Sequence, residues 1–474
     1  MARRSSMREP FLARARDRFS YFVSATPARF AIVIFSFLIV LFTVLLSLPV
    51  MSSSGKPTGL ADALFTATSA ICVTGLATLD MSTHWSPLGQ VVIVLGTQIG
   101  AVGVLTLASV MGLVVSRRLG LRQRLLVAGD VNPMAMRKGS GPGSSSSALG
   151  EIGGLLATVA LSTVIIEAVV AVLLYPRVLA AGVEPIPALG DAISFSAMAF
   201  TNTGFVLADS GFDPYASDLW FLSWLMVGVV LGSIGFPVIY ALSRNLTRPR
   251  RWSVHVKLTL VTSAVLLALG TLAYTVLEWD NAKSFGGDGV GKLTFQALFL
   301  SVMTRSGGFS TIDIGNLRES SLLVTDMLMF IGGGSASTAG GIKVTTLAVL
   351  FLAAFAEARG TAAMEVFERR VPSDVLRVAV SIVLWGATTV ALSTIILLQM
   401  TEAGLDHVLF DVISAFGTSG LSSGFTATLE DPGKYVLSAT MFMGRIGTVT
   451  LAAALASSQR AQLFARAEER PIVG

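Results

Sequence analysis

Eight apolar runs of roughly 20 residues mark this chain, each long enough to cross the ~30 Å hydrocarbon layer of a bilayer as a helix. They fall at about 30–50, 88–115, 152–175, 218–242, 256–279, 322–356, 376–400 and 434–458, the sixth of them interrupted. In hydrocarbon every backbone amide needs a partner within the protein, so helices or closed barrels are the only spanning structures. Continuous apolar runs of this length are helices. With 53% of its residues hydrophobic and 13% charged, the chain is not a soluble enzyme. The expected fold is therefore an all-α polytopic membrane protein.

Between the members of each pair of runs lies a shorter apolar piece of about a dozen residues, the length of a re-entrant helix. Each piece enters a small-polar tract that ends in glycine and then Leu or Phe. The tracts are Cys72-Val73-Thr74-Gly75-Leu76, Thr201-Asn202-Thr203-Gly204-Phe205, Arg305-Ser306-Gly307-Gly308-Phe309 and Gly417-Thr418-Ser419-Gly420-Leu421. A glycine at the end frees the backbone to turn and to approach an ion or another segment closely. Four such loops around one axis make a ring of carbonyl oxygens able to replace the water shell of a dehydrated cation. The carbonyls are expected from the last residues of each tract: Val73, Thr74 and Gly75; Asn202, Thr203 and Gly204; Ser306, Gly307 and Gly308; Thr418, Ser419 and Gly420. That points to a potassium pathway, with potassium bound at these residues only.

The marker glycines are 129, 104 and 112 residues apart, and around each the order is spanning helix, short piece, tract, spanning helix. An even number of spans per unit makes the four helix–pore loop–helix repeats parallel, which builds one central ion pathway. Each short helix, such as 62–71 or 191–200, then runs inward and aims the negative end of its dipole at the axis, favouring a cation there. The expected segments are a cytoplasmic tail (1–29), repeat 1 (30–117), a flexible cytoplasmic linker (118–151), repeat 2 (152–243), repeat 3 (244–357), repeat 4 (358–458) and a second cytoplasmic tail (459–474). The linker is read as flexible because residues 129–149 are rich in Gly, Ser and Pro.

Charge orients the chain. Of 34 Lys and Arg, 25 fall in 1–29, 116–151, 244–257, 357–377 and 459–474, on one side of this topology. The positive-inside bias places that side, and both termini, in the cytoplasm. The net charge of +5 thus reflects topology and implies no nucleic acid partner. No cleavable signal peptide is evident, because the first 29 residues, seven of them Arg, are too long and polar for a signal n-region. The lone Cys72 excludes an intrachain disulfide, and is read as a small apolar residue lining its tract.

A second small-residue stretch interrupts the sixth run: Gly332, Gly333, Gly334, Ser335, Ala336, Ser337, Thr338, Ala339, Gly340 and Gly341, followed by Ile342 and Lys343. At about 1 kcal/mol per glycine relative to alanine, a helix is strongly disfavoured here. The stretch is expected as a loop within the membrane below the ring. It lacks the Gly-Lys-Ser/Thr ending of a phosphate-cradling loop. A third element is Arg445, in the middle of the last run, where a guanidinium costs at least ~2.5–3.5 kcal/mol unless it faces a cavity or partner. Glu167 also lies in an apolar run, with no partner visible in the sequence, and is open to a functional or a structural role. Arg305, beside the third tract, is expected to brace it, since a cation ligand is not itself cationic.

The tracts, the glycine-rich stretch and Arg445 together resemble the Trk/Ktr/HKT superfamily of potassium transporters, most closely its KtrB-type membrane subunits, over about residues 30–458. The resemblance implies that residues 332–341 with Lys343 form an intramembrane gating loop and that Arg445 projects into the pore beneath the filter. It implies potassium uptake across the bacterial cytoplasmic membrane, by a protein that is not an enzyme and needs no cofactor. It further implies a homodimer in the lipid bilayer, docked on a separate cytosolic nucleotide-binding regulatory subunit of the KtrA-like kind. Gly75 matches the potassium-selective pattern rather than the sodium-preferring one with serine. Whether flux is channel-like or uses sodium as a coupling or activating ion stays open. Two other classes are weighed: a carrier of a small organic substrate with discontinuous helices, expected to show two broken helices in inverted halves, and a membrane-embedded enzyme, for which the spans offer only Glu167 and Arg445.

Overall fold

The computed structural model describes residues 27–118, 145–285, 289–361, 363–448 and 450–451. The expected N-terminal tail up to residue 26, linker residues 119–144 and the expected C-terminal tail lie outside the described residues.

Long helix, short helix, tract and second helix recur four times along the chain. The first unit is α1 (Pro27–Leu46), α2 (Leu60–Ile71) and α3 (Pro87–Arg118). The second is α4 (Ser145–Ala180), α5 (Pro185–Thr201) and α6 (Leu219–Ile234), followed by α7 (Phe236–Asn245). The third is α8 (Val254–Leu277), α9 (Val290–Met303), α10 (Glu319–Phe330) and α11 (Val344–Ala358). A small antiparallel hairpin, β1 (Met364–Val366) with β2 (Arg369–Val371), leads to the fourth. That unit is α12 (Ser373–Met400), α13 (Leu405–Gly417) and α14 (Asp431–Phe442), with a π-helical turn at Met443–Gly447.

Several starts are written in the sequence. Proline sits in the first turn of α5 and α14, where no intrahelical N–H is needed. The Asp218 side chain accepts the Trp220 and Phe221 amides at the start of α6, and Ser253 accepts Val256 at the start of α8. Helix α4 begins at Ser145, inside the stretch read as flexible linker, and α5 begins six residues before Asp191.

The eight expected spans do not all appear as straight helices. By length and composition three described helices can cross a membrane (Thr158–Ala180, Val254–Leu277 and Ser373–Met400), or up to four if α6 and α7 form one span. The run read as 218–242 is broken at Gly235, where α7 departs from α6 at 104°. Gly235 adopts φ +88, which favours glycine, and Pro237 in the first turn of α7 cannot extend α6. The sixth run is split by its glycines into α10 and α11, as expected.

Exposed Phe37, Val172, Leu269 and Leu384 clothe the outward faces of α1, α4, α8 and α12, where lipid takes the place of a packing partner. Inside, aromatic rings join the second and third units. Tyr215 stacks on Phe221 at 4.3 Å, and Phe309, which closes the third tract, stacks on Phe212 at 5.6 Å. This core holds the tracts against one another.

Candidate functional site

Within three residues of the end of each short helix comes a left-handed residue: Val73 (φ 57), Asn202 (φ 63), Ser306 (φ 75) and Thr418 (φ 48). Two residues later comes a left-handed glycine: Gly75, Gly204, Gly308 and Gly420. Left-handed backbone costs an L-residue roughly 1–2 kcal/mol, so four non-glycine cases at matching places need support. The support is local. The Thr74 amide donates to the Ser69 carbonyl at 2.7 Å, Thr203 to Met198 at 2.9 Å and Ser419 to Ser414 at 2.9 Å. In the third tract, one residue longer, Gly307 and Gly308 both return to Met303. A left-handed residue at every second position turns carbonyls that would alternate along a strand toward one side.

Those carbonyls converge. A Cβ built on Gly75 would lie 1.6 Å from the Thr203 carbonyl oxygen, and one on Gly204 2.6 Å from that of Gly307. On Gly308 it would lie 3.1 Å from the Ser419 oxygen, and on Gly420 2.6 Å from that of Thr74. The ring therefore runs Gly75, Gly204, Gly308, Gly420, and each glycine faces a carbonyl from the residue before another glycine. Only glycine fits this approach.

Hydroxyls fasten the ring from behind. Ser69 Oγ accepts the Gly75 amide at 3.0 Å, Ser306 Oγ donates to the Thr418 carbonyl, and Ser419 Oγ donates to the Thr304 carbonyl at 3.2 Å. Arg305 points away from the ring. Its guanidinium donates to the Ser263 carbonyl at 2.9 Å and to Ser263 Oγ at 3.0 Å on α8.

Directly beside the ring lies the chain from Ile331 to Lys343. Its ends are clasped by a parallel bridge between Ile331 and Ile342, with the Gly332 amide 2.8 Å from the Ile342 carbonyl. Thr338 Oγ1 donates to the Phe200 carbonyl and approaches Asn202 Oδ1, each at 3.1 Å, and Gly340 meets the Thr418 side chain. Lys343 Nζ turns back on the Ala339 carbonyl at 2.5 Å. Arg445, 2% exposed, donates through Nη1 to the Thr338 carbonyl, while Nε and Nη2 have no partner among the described residues. The structure thus brings Arg445, Lys343 and the glycine-rich stretch together next to the second and fourth tracts. Cys72 is fully buried and free.

Sequence reasoning missed other parts. The α6–α7 break grips the loop: the Gly334 amide donates to Ser233 at 2.7 Å, Thr338 to Gly232 at 3.2 Å and Phe236 to Ala336 at 3.2 Å. Gly235 followed two residues later by Pro237 was the available signal. Glu167 does have a partner, Gln98 Nε2 on α3 at 2.7 Å, which is 69 residues distant and unreadable from local pattern. Beyond the ring, Asp62 accepts Thr78 Oγ1 at 2.7 Å and pairs with Lys434 at 2.8 Å, joining the first unit to the fourth.

Four short helices ending on one ring of carbonyls, within an apolar helical shell, define a membrane protein built for cation movement. The chain matches the TrkH family model, described as cation transport protein, over residues 11–463, and it belongs to that family. It is 32% identical to Ktr system potassium uptake protein B of Bacillus subtilis (strain 168), covering 94% of this chain and 97% of the relative. It is 33% identical to the protein of the same name from Vibrio alginolyticus, over 90% of each chain. The solved potassium transporter TrkH of Vibrio parahaemolyticus shares the fold, with a TM-score of 0.65 over 88% of this chain and 83% of that one at 18% identity. The family is one of ion transport proteins and not of enzymes.

Proposed function

We propose that this protein takes up potassium through the ring of carbonyls at Gly75, Gly204, Gly308 and Gly420. The observation that carries the reading is the convergence itself, in which a Cβ at any of the four glycines would collide with backbone of a neighbouring tract. Oxygens from four loops replace the ion's water, and the helix ends behind them contribute partial negative charge. The relatives' names, potassium uptake in Bacillus subtilis and Vibrio alginolyticus and potassium/sodium uptake in Enterococcus hirae, support the same ion class. The loop from Gly332 to Gly341, with Lys343 and Arg445, acts as the gate beside the ring. The organic carrier reading loses its main support, because the two broken helices, α6–α7 and α10–α11, grip each other instead of facing a substrate across inverted halves.

The protein works in the bacterial cytoplasmic membrane with both termini in the cytoplasm, a placement supported by the Lys/Arg bias and by the basic run Arg244, Arg248, Arg250 and Arg251 around the end of α7. It forms a homodimer and docks a separate cytosolic nucleotide-binding subunit, as the family resemblance implies; the Ktr system naming of its relatives supports a system of more than one component. The test is complementation of a potassium-uptake-deficient bacterium, with and without a co-expressed cytosolic subunit. Growth at low potassium is expected with the wild-type chain. Gly75→Ser, which drives a side chain into the Thr203 carbonyl, should lower preference for potassium over sodium. An unchanged preference in a properly inserted variant removes the first tract from the filter.

A further inference from the structure

A carboxylate that neither ring nor loop uses lies in the wall behind the fourth tract. Helices α10 and α13 both run toward the ring and pack side by side. Phe330 stacks on Phe416 with centroids 5.7 Å apart, and a Cβ on Gly417 would lie 2.4 Å from the Met329 carbonyl oxygen. That contact sets their register. One turn back from Met329 is Asp326; one turn back from Gly417 is Ser414, and one turn further is Asp411, so the three share the seam between the helices.

Asp326 is 7% exposed and Ser414 0%. Asp326 Oδ1 and Ser414 Oγ have no hydrogen-bond partner among the described residues, and none of the ion pairs there involves Asp326. Asp411 is different. Its Oδ1 accepts Ser423 N and Oγ at 2.8 and 3.0 Å, and its Oδ2 accepts Ser422 Oγ, Thr426 N and Thr426 Oγ1 at 2.7, 2.8 and 2.6 Å. A carboxylate offers about four lone-pair sites, so these five donors leave Asp411 no capacity for a ligand. Its charge still acts on Asp326. Two carboxylates in one buried seam without a basic partner are strongly unfavourable while both are charged, and either a proton on one of them or a bound cation relieves this.

The free groups are a carboxylate oxygen and a hydroxyl, both hard oxygen donors. One free carboxylate balances a single positive charge, whereas a calcium ion draws on several carboxylates among its six to eight oxygens. We propose that Asp326 and Ser414 hold a monovalent cation of sodium's size in the seam behind the fourth tract, off the central axis, with Asp411 adding attraction at longer range. The ion ties α10, which leads into the glycine-rich loop, to α13, which carries the fourth tract. This site does not depend on which ion the axis carries.

The test is the melting temperature of the purified full-length protein in detergent, with potassium held saturating while sodium chloride replaces choline chloride at constant ionic strength. The wild type should melt at rising temperature above a threshold sodium concentration, as for any ligand bound only by the folded state. Asp326→Asn keeps the shape, removes the charge and should abolish the rise. Ser414→Ala should move the threshold to roughly tenfold higher sodium, as expected for loss of one oxygen contact. No sodium effect in the wild type, or an undiminished rise in Asp326→Asn, overturns the proposal; the latter result would identify a protonated, neutral acid. If Asp326→Asn fails to fold, an unmoved threshold in Ser414→Ala overturns it equally.

Discussion

Two helices are interrupted beside the carbonyl ring, and they are interrupted by different means. Between α10 and α11 ten small residues fill the gap, so the chain has no helical alternative. Between α6 and α7 one glycine at φ +88 does the work, followed by a proline that prevents recovery. The long interruption supplies surface, and the short one supplies a socket. Ser233, Gly232 and Phe236 present carbonyls and an amide that Gly334, Thr338 and Ala336 take up. A Cβ on Gly235 would lie 2.7 Å from the Ser335 carbonyl oxygen, so the break is shaped to the loop it receives. An interruption of one unit is therefore completed by that of the next.

Deleting Gly332–Gly341 should have the largest effect, since it removes the long interruption and leaves the short one without its partner. The clasp between Ile331 and Ile342 already brings the cut ends together, so the shortened chain should close with little distortion. Potassium flux into deficient cells should rise roughly tenfold or more, equivalent to removing at least ~1.4 kcal/mol of barrier. A variant that inserts normally yet conducts no better would make the stretch a packing feature.

Next in size is Arg445→Ala. A unit charge near the path costs an approaching cation on the order of 1 kcal/mol or more, so flux should increase about fivefold, or need for a regulatory partner should fall. Arg445→Lys keeps the charge but loses the planar donor fork that reaches the Thr338 carbonyl, and should fall between. Wild-type transport in both variants would separate the guanidinium from the pathway.

Gly235→Ala tests the socket. The left-handed backbone and the close carbonyls should destabilise the protein by about 1–2 kcal/mol and raise flux about twofold. A loss of melting temperature without a change in flux would show that the break serves packing alone. Smallest is Thr338→Val, which removes the hydroxyl joining the loop to Phe200 and Asn202. About 1 kcal/mol of stability and less than a twofold rise in flux are expected, measured by thermal unfolding and uptake.

The same contrast explains what was legible in the sequence. Four glycine-ended tracts and a ten-residue run of small side chains are compositional signals, and both coincide with non-helical backbone in the structure. The break at Gly235 is signalled only by Pro237 two residues on, because one glycine inside an apolar run is equally at home in a helix. The hydroxyls behind the ring, Ser69 and Ser306, were hidden because serine in a short helix or tract gives no sign of its acceptor. Glu167 could be flagged but not paired, since Gln98 reaches it from another unit. Long-range polar partners are set by helix rotation and register, which hydropathy does not encode.

The ring is also made by one polypeptide, with Val73, Asn202, Ser306 and Thr418 at the four matching left-handed positions. Identical subunits would be forced to change all four edges at once with every mutation. Here a single codon alters one quarter of the ring and leaves three quarters intact. The ring can therefore be altered in small independent steps, and one edge can be given over to holding its neighbour, as Ser306 does for Thr418, without asking the others to do the same.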